Sequence, residues 1–181
     1  MSQVDAQRLV FVDESGTHIA LTRLYPRAVR GHRAVGQVPR NHGKNTTVVA
    51  ALSGTGVQAP WTVEGAIDTP AVVAYVREVL SPALRPGQIV VLDHLSVHQA
   101  EDVRRLIEAR GCARRFLPAY SPDRTPIEEA FSKLKAGLRR LGARTRDALL
   151  DAIAQVLATL TATDAHGWFE HAGYPLPVQP S

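Results

Sequence analysis

The sequence predicts an α/β domain in which a mixed five-stranded sheet carries helices on its faces. Three observations point there. Ile89, Val90, Val91 and Leu92 form an unbroken apolar run ending on Asp93, the pattern of a strand buried on both faces of a sheet. Leu9, Val10, Phe11 and Val12 repeat the design and end on Asp13. A meander of β-rich segments then gives way to alternating helical and strand patterns, as when βαβ units are added to a hairpin. Right-handed crossovers set the strand ending at Asp13 beside the strand ending at Asp93. In open α/β sheets, ligands and chemistry collect beyond the carboxyl ends of the strands.

After the first strand, Ser15-Gly16 reads as a tight turn, so Thr17 to Tyr25 reads as a second, antiparallel strand. Pro26 to Gly43 is poor in apolar residues and rich in charge, with Arg27, Arg30, His32, Arg33, Arg40 and His42. Lys44 to Ser53, KNTTVVAALS, is β-branched and apolar and reads as a third strand, with a further short strand around Trp61 to Glu64. Thr69-Pro70 opens a helix with a capping hydroxyl and an early proline; Pro82 and Pro86-Gly87 stop it before the strand at Ile89. Ser96 with Gln99 fits a capping box for the next helix, whose buried face is Ala100, Val103, Leu106 and Ile107. Ala113 to Leu117 is the last strand. Two helices follow, Pro126 to Leu141 and Thr145 to Leu160, and the tail from Pro175 to Ser181 reads as frayed.

A length of 181 residues suits one domain with a substantial core. No apolar run approaches the ~20 residues that span a bilayer, and the start lacks a signal-peptide h-region, so the expected setting is cytoplasmic without a membrane. Cys112 is alone, which excludes an internal disulfide and suits a reduced compartment. A net charge of +4 is compatible with a polyanionic partner.

The stretch Tyr120 to Lys135, YSPDRTPIEEAFSKLK, holds the third acid of interest. Thr125, Pro126, Ile127 and Glu128 read as the cap and first turn of a helix, and Glu128 could simply reach back to the Thr125 N–H in a capping box. On the helical wheel Ile127, Phe131, Leu134, Leu138 and Leu141 form the core stripe. Glu128 lies on its shoulder, while Glu129 points away as a solvated charge. Lys135 and Arg139 share the flank of Glu128, where they could meet phosphates or remain a solvated basic face. Asp13, Asp93 and Glu128 together are what a site for two hard divalent cations requires, because such ions take oxygen ligands and can clamp both oxygens of a phosphoryl transfer. Each acid alone also has a plain structural use as a turn former or cap.

Other candidates carry less. Gly43-Lys44 lacks the first glycine and the Ser/Thr of a phosphate loop. His94 and His98 flank Asp93 at no zinc spacing and read as loop or helix-start residues, and Ser96 reads as a cap. His166, Trp168, Phe169 and His171 read as a packed C-terminal end rather than a stacking platform.

Four segments, VDES (Val12 to Ser15), PRNHGKNTTVVAALS (Pro39 to Ser53), VVLDHLSVH (Val90 to His98) and YSPDRTPIEEAFSKLK, resemble the catalytic domain of the mariner superfamily of transposases, particularly its bacterial insertion-sequence branch. The 34 residues between Asp93 and Glu128 (128 − 93 − 1) match the spacing of that superfamily. The resemblance runs from about residue 8 to 170. It implies a ribonuclease-H-like fold, with sheet order 3-2-1-4-5, strand 2 antiparallel and helices on both faces. It further implies an Asp-Asp-Glu triad of Asp13, Asp93 and Glu128 holding two Mg²⁺ or Mn²⁺ ions. Such enzymes cleave DNA at transposon ends and join the freed 3′-hydroxyl to target DNA. Arg30, Arg33, Arg40, Lys44, Lys135 and Arg139 are the expected phosphate contacts, with salt-sensitive and little sequence-specific affinity.

The chain departs from the family at His94, where Asn is common, and at Arg124-Thr125, where Leu-Asn is common. Relatives also carry N-terminal helix-turn-helix domains, whereas residues 1–181 read as a single catalytic domain without them. That leaves open the second of two reading frames, with an upstream partner product, or a truncated remnant. Expected partners are DNA and a second copy in a synaptic homodimer, in a nucleoid-associated setting. Two rival readings stand beside this one: a catalytically silent DNA-binding or regulatory remnant, and a ribonuclease-H-like nuclease that cuts without joining.

Overall fold

The computed structural model describes residues 4–23, 28–35, 40–117 and 125–177. Its centre is a five-stranded sheet of order β3-β2-β1-β4-β5, formed by β1 (Leu9–Thr17), β2 (Thr46–Ser53), β3 (Gly56–Glu64), β4 (Ile89–Leu92) and β5 (Ala113–Phe116). β1 pairs antiparallel with β2, which pairs antiparallel with β3; β1–β4 and β4–β5 are parallel. The expected order 3-2-1-4-5, with strand 2 antiparallel, is the observed one.

The segments filling positions 2 and 3 differ from expectation. Ser15-Gly16 makes no turn, because β1 runs on through Thr17 and pairs Ser15, Gly16 and Thr17 with Val48, Thr47 and Thr46. The fully buried β2 supplies that long partner. Residues 18–23 form no strand: Ala20 N–H donates to His18 Nδ1 at 3.1 Å and bends the chain there. The short strand foreseen at Trp61 is the second half of a nine-residue β3. Its hairpin with β2 turns through Gly54-Thr55 into Gly56, whose φ of 121° an L side chain would strain.

Period-2 alternation sorts the sheet residues between two cores. Leu9, Phe11, Val48, Ala50, Leu52 and Val91 face one layer of helices: α4 (Pro126–Leu141), α5 (Arg146–Leu157) and α6 (Ala162–His171). Val10, Val12, Val49, Ala51, Val90 and Leu92 face the other, built from α1 (Thr69–Tyr75), α2 (Ser81–Ala83) and α3 (Glu101–Glu108). Trp168 and Phe169 of α6 are buried, as a packed C-terminal end requires. Leu176 also packs on the first core, so this part of the tail is held rather than frayed, while residues 178–181 lie outside the described ones.

Helix starts explain most remaining differences. Asp68, not Thr69, caps α1, accepting from Ala71 N–H at 2.9 Å. Between α1 and α2 the helix widens into a π turn (Val76–Leu80) just before Pro82, which has no N–H to give the preceding turn. Ser96–Gln99 is a 3₁₀ turn rather than a capping box, and the Gln99 amide donates to His94 O at 2.8 Å. Thr125 stands at the N-cap of α4 without a side-chain capping bond. Thr145 caps α5, which ends at Leu157; a Thr161–Asp164 capping box then starts the separate helix α6. Among the described residues no single helix is long and apolar enough to cross a membrane.

Candidate active site at the carboxyl ends of β1 and β4

Parallel pairing of Leu9, Val10 and Phe11 with Ile89, Val90 and Val91 carries forward by two residues to set Asp13 beside Asp93. Parity places Asp13 on the face of Leu9 and Phe11, towards α4, whose first turn presents Glu128. It places Glu14 on the opposite face, with Val10 and Val12. The ends of β1 and β4 and the start of α4 thus lie near enough for the charges of Asp93 and Glu128 to act on Asp13.

Asp13 feels both burial and the other acids. Asp13 is pushed up to about 7. Burial is the largest cause, followed by the charges of Glu14, Glu128 and Asp93; the Glu14 N–H, donating to Asp13 Oδ1 at 2.8 Å, pulls the other way. Glu14 is also raised, first by burial and then by Asp93, with His98 opposing. Glu128 is exposed and makes no capping bond to Thr125 N–H, so the plain structural use weighed for it is not realised; Glu128 N–H instead donates to Thr125 O at 3.1 Å. Its neighbour Glu129 is not the free surface charge expected, because it accepts from His171 Nδ1 on α6.

Two residues outside the sequence-read triad, His98 and Glu14, border it. His98 is 3% exposed; its Nδ1 lies 2.5 Å from Asp93 Oδ1 and its Nε2 lies 3.5 Å from Glu14 Oε2. The 3₁₀ turn explains why a histidine five residues past Asp93 folds back onto it, with His98 N–H donating to Leu95 O at 3.0 Å. The signal available in the sequence was the pairing of VDES, which holds a second acid, with a histidine shortly after the other strand-end Asp. His94, by contrast, is exposed and stacks on Phe116 at 4.9 Å. Cys112 is buried and donates to Arg85 O at 3.1 Å, a structural use.

The expected phosphate contacts divide into three groups. Arg30, Arg33 and Arg40 are exposed on the segment before β2, and their side chains have no partner among the described residues. Lys44 is already engaged, 2.6 Å from Glu64, which also holds Arg146 at 2.7 Å. Lys135 and Arg139 are half-buried along α4 and also unpaired among the described residues. Arg124 lies outside them.

Chemically the donor set fits hard divalent cations: it is all carboxylate oxygen, and its negative charge adds to burial in lifting Asp13. Among the described residues, however, no three His, Cys, Asp or Glu side chains are gathered closely enough to hold a metal ion in this conformation.

A mixed sheet of this order, with acids at the ends of two adjacent parallel strands, defines a ribonuclease-H-like fold. The chain belongs to the DDE superfamily endonuclease family, whose model matches residues 8–150. Its fold is similar to that of Mos1 transposase in the paired-end complex with the left transposon end, with TM-score 0.69 and 18% identity over 94% of this chain and 53% of that one. It is also similar to the Mos1 strand transfer complex, with TM-score 0.68 and 20% identity over 94% and 52%. The catalytic domain of Mos1 mariner transposase gives 0.58 and 16% over 92% and 79%. At these identities the likeness is one of fold. The chain spans about half the length of the transposase chains in those complexes. No curated protein sequence matches it.

Proposed function

We propose that the chain is the catalytic domain of a DDE transposase of the bacterial insertion-sequence branch, acting on DNA by two-metal phosphoryl transfer. Asp13, Asp93 and Glu128 would hold the two Mg²⁺ or Mn²⁺ ions. When bound, such ions supply Lewis acidity at the scissile phosphate and lower the pKa of an attacking water or 3′-hydroxyl. The protein's part is to bring the three acids to one rim, and to align DNA through Arg30, Arg33, Arg40, Lys135 and Arg139. The observation that carries this reading is the parallel register of β1 on β4, which ends two residues before Asp13 and Asp93, together with the charges of Asp93 and Glu128 that act on Asp13. Similar folds in complexes with transposon-end DNA, and in Mos1 crystals with Mn or Mg, support it.

Residues 1–181 would act as one catalytic unit in the nucleoid. End recognition would come from helix-turn-helix domains, and synapsis from a homodimer. Lys44 would contribute phosphate contacts only if DNA displaced Glu64.

A second reading, a catalytically silent DNA-binding remnant, draws on the lack of a gathered metal-holding trio among the described residues. Incubating the chain with pre-cut transposon-end DNA, a target duplex and Mn²⁺ separates the readings. Nicking and joining that fall to background in Asp93→Ala are the expected result. Cleavage without joining would identify a nuclease instead, and DNA binding without either reaction would identify the silent remnant.

A further inference from the structure

We infer that His98 is the positioning residue for Asp93, fixing which of its two oxygens faces the reaction centre, with Glu14 backing the ring from the neighbouring strand. The inference rests on Asp93 being a metal-holding carboxylate, as proposed above.

Asp93 Oδ1 is used inside the protein. It accepts from Leu95 N–H at 3.0 Å and lies 2.5 Å from His98 Nδ1. An ionised carboxylate oxygen only accepts, so the ring nitrogen that meets it donates. With both donors on Oδ1, Oδ2 has no partner among the described residues, and Asp93 has a single oxygen to offer outward. Holding one oxygen of a ligating carboxylate from behind is how an outer partner orients a metal ligand.

The ring is itself held firmly. Its backbone N–H donates to Leu95 O at 3.0 Å, and its carbonyl accepts from Arg114 Nη1 at 2.9 Å. The Arg114 guanidinium lies 4.8 Å over the Phe116 ring on β5, so the anchor reaches across to the neighbouring strand. On the far side, Nε2 faces Glu14 Oε2 across 3.5 Å, and that oxygen is buried with no hydrogen-bond partner. The other described histidines are half-buried or exposed; only His98 is buried, and it touches acids from both central strands. A histidine kept only for packing has no reason to spend its donor on the acid just past the end of β4.

Isothermal titration of the full 181-residue chain with Mn²⁺ tests this, alongside metal-free thermal melts of every variant. His98→Ala is expected to weaken Mn²⁺ binding about 10–100-fold. His98→Asn carries its amide nitrogen as many bonds from the backbone as Nδ1, and is expected to restore affinity to within about 3-fold of the wild type. His98→Gln, whose amide matches Nε2 instead, is expected to fail. If the alanine variant does not fold, the Asn and Gln pair decides alone. Equal affinity in His98→Ala and wild type, or equal rescue by Gln and Asn, overturns the positioning role while leaving the metal reading intact. A wild-type chain with no Mn²⁺ binding that Asp93→Ala removes overturns the metal reading itself, and the role of His98 with it.

Discussion

Asp13 shows at the scale of one residue what the cluster costs the fold. Its ordinary carboxyl value of 3.8 is raised to about 7, first by burial and then by Glu14, Glu128 and Asp93. The folded form therefore binds its proton more readily than the unfolded chain, so stability is lost as pH rises from about 4 to 7 and the loss is complete above that window. At about 1.4 kcal/mol per pKa unit the loss is at most about 4 kcal/mol, and less where the neighbours relax. Asp13→Asn removes the penalty. Without metal it should melt higher than wild type, by a margin clearly larger at pH 8 than at pH 5, as read by calorimetry. A margin that does not change with pH would show that burial and the neighbouring acids do not act on Asp13 as described. Mn²⁺ should narrow the gap by stabilising the wild type, because an ion bound only by the folded state adds to stability by mass action.

At the scale of elements, the platform under Glu128 is α4 packed on α5, and one glycine sets how closely they meet. A Cβ on Gly137 would come within 2.6 and 2.7 Å of the two Val156 methyls. Val156 is β-branched and buried, so it has no spare rotamer with which to retreat. Gly→Ala in a helix interior gains roughly 1 kcal/mol of propensity, whereas overpacking a tight contact costs about 1–3 kcal/mol. Overpacking should win: Gly137→Ala is expected to lower stability by up to about 2 kcal/mol in urea denaturation. Val156→Ala should cost less in that background than in the wild type, a coupling that a double-mutant cycle reads directly. Such contacts are invisible along the chain, and so are other features of these elements. The strands at Leu9 and Ile89 were legible because each is a four-residue apolar run, too short for a helix and bounded by polar residues, and α4 because its stripe keeps helical spacing. Ser15-Gly16 misled because turn propensity is local, while a fully buried partner strand across Thr46 to Ser53 overrides it. His98 was passed over because a 3₁₀ turn, set by where Leu95 and Asp93 sit, decides which way the imidazole faces. Asp13, Asp93 and Glu128 could be named together from the sequence because a strand order is enough to suggest that two strand ends and a helix start share one end of a sheet.

Over the whole molecule, charge is arranged so that an acidic rim sits beside basic flanks, with a net charge of +4. Along α4 the rim and one flank share a single rod: Lys135 and Arg139 follow Glu128 by seven and eleven residues, about 10 and 16 Å at 1.5 Å per residue. Both are unpaired among the described residues, whereas Lys133 on the next face is held by Asp164 at 2.6 Å. A DNA strand seated at Glu128 and running along the helix would meet Lys135 and Arg139 in turn, and would release counterions from the phosphates they replace. Contacts of that kind carry no sequence information, so they predict a particular signature. Binding of duplex DNA by the wild-type chain should fall steeply with salt, and the double variant Lys135→Ala, Arg139→Ala should reduce the log–log salt slope by about 2. The loss should be the same for transposon-end and unrelated duplexes, since the two side chains position the strand without reading it. Lys133→Ala should leave the slope unchanged, because that amine is already neutralised by Asp164. An unaltered slope in the double variant would place the DNA path off α4, leaving the exposed arginines before β2 to carry it.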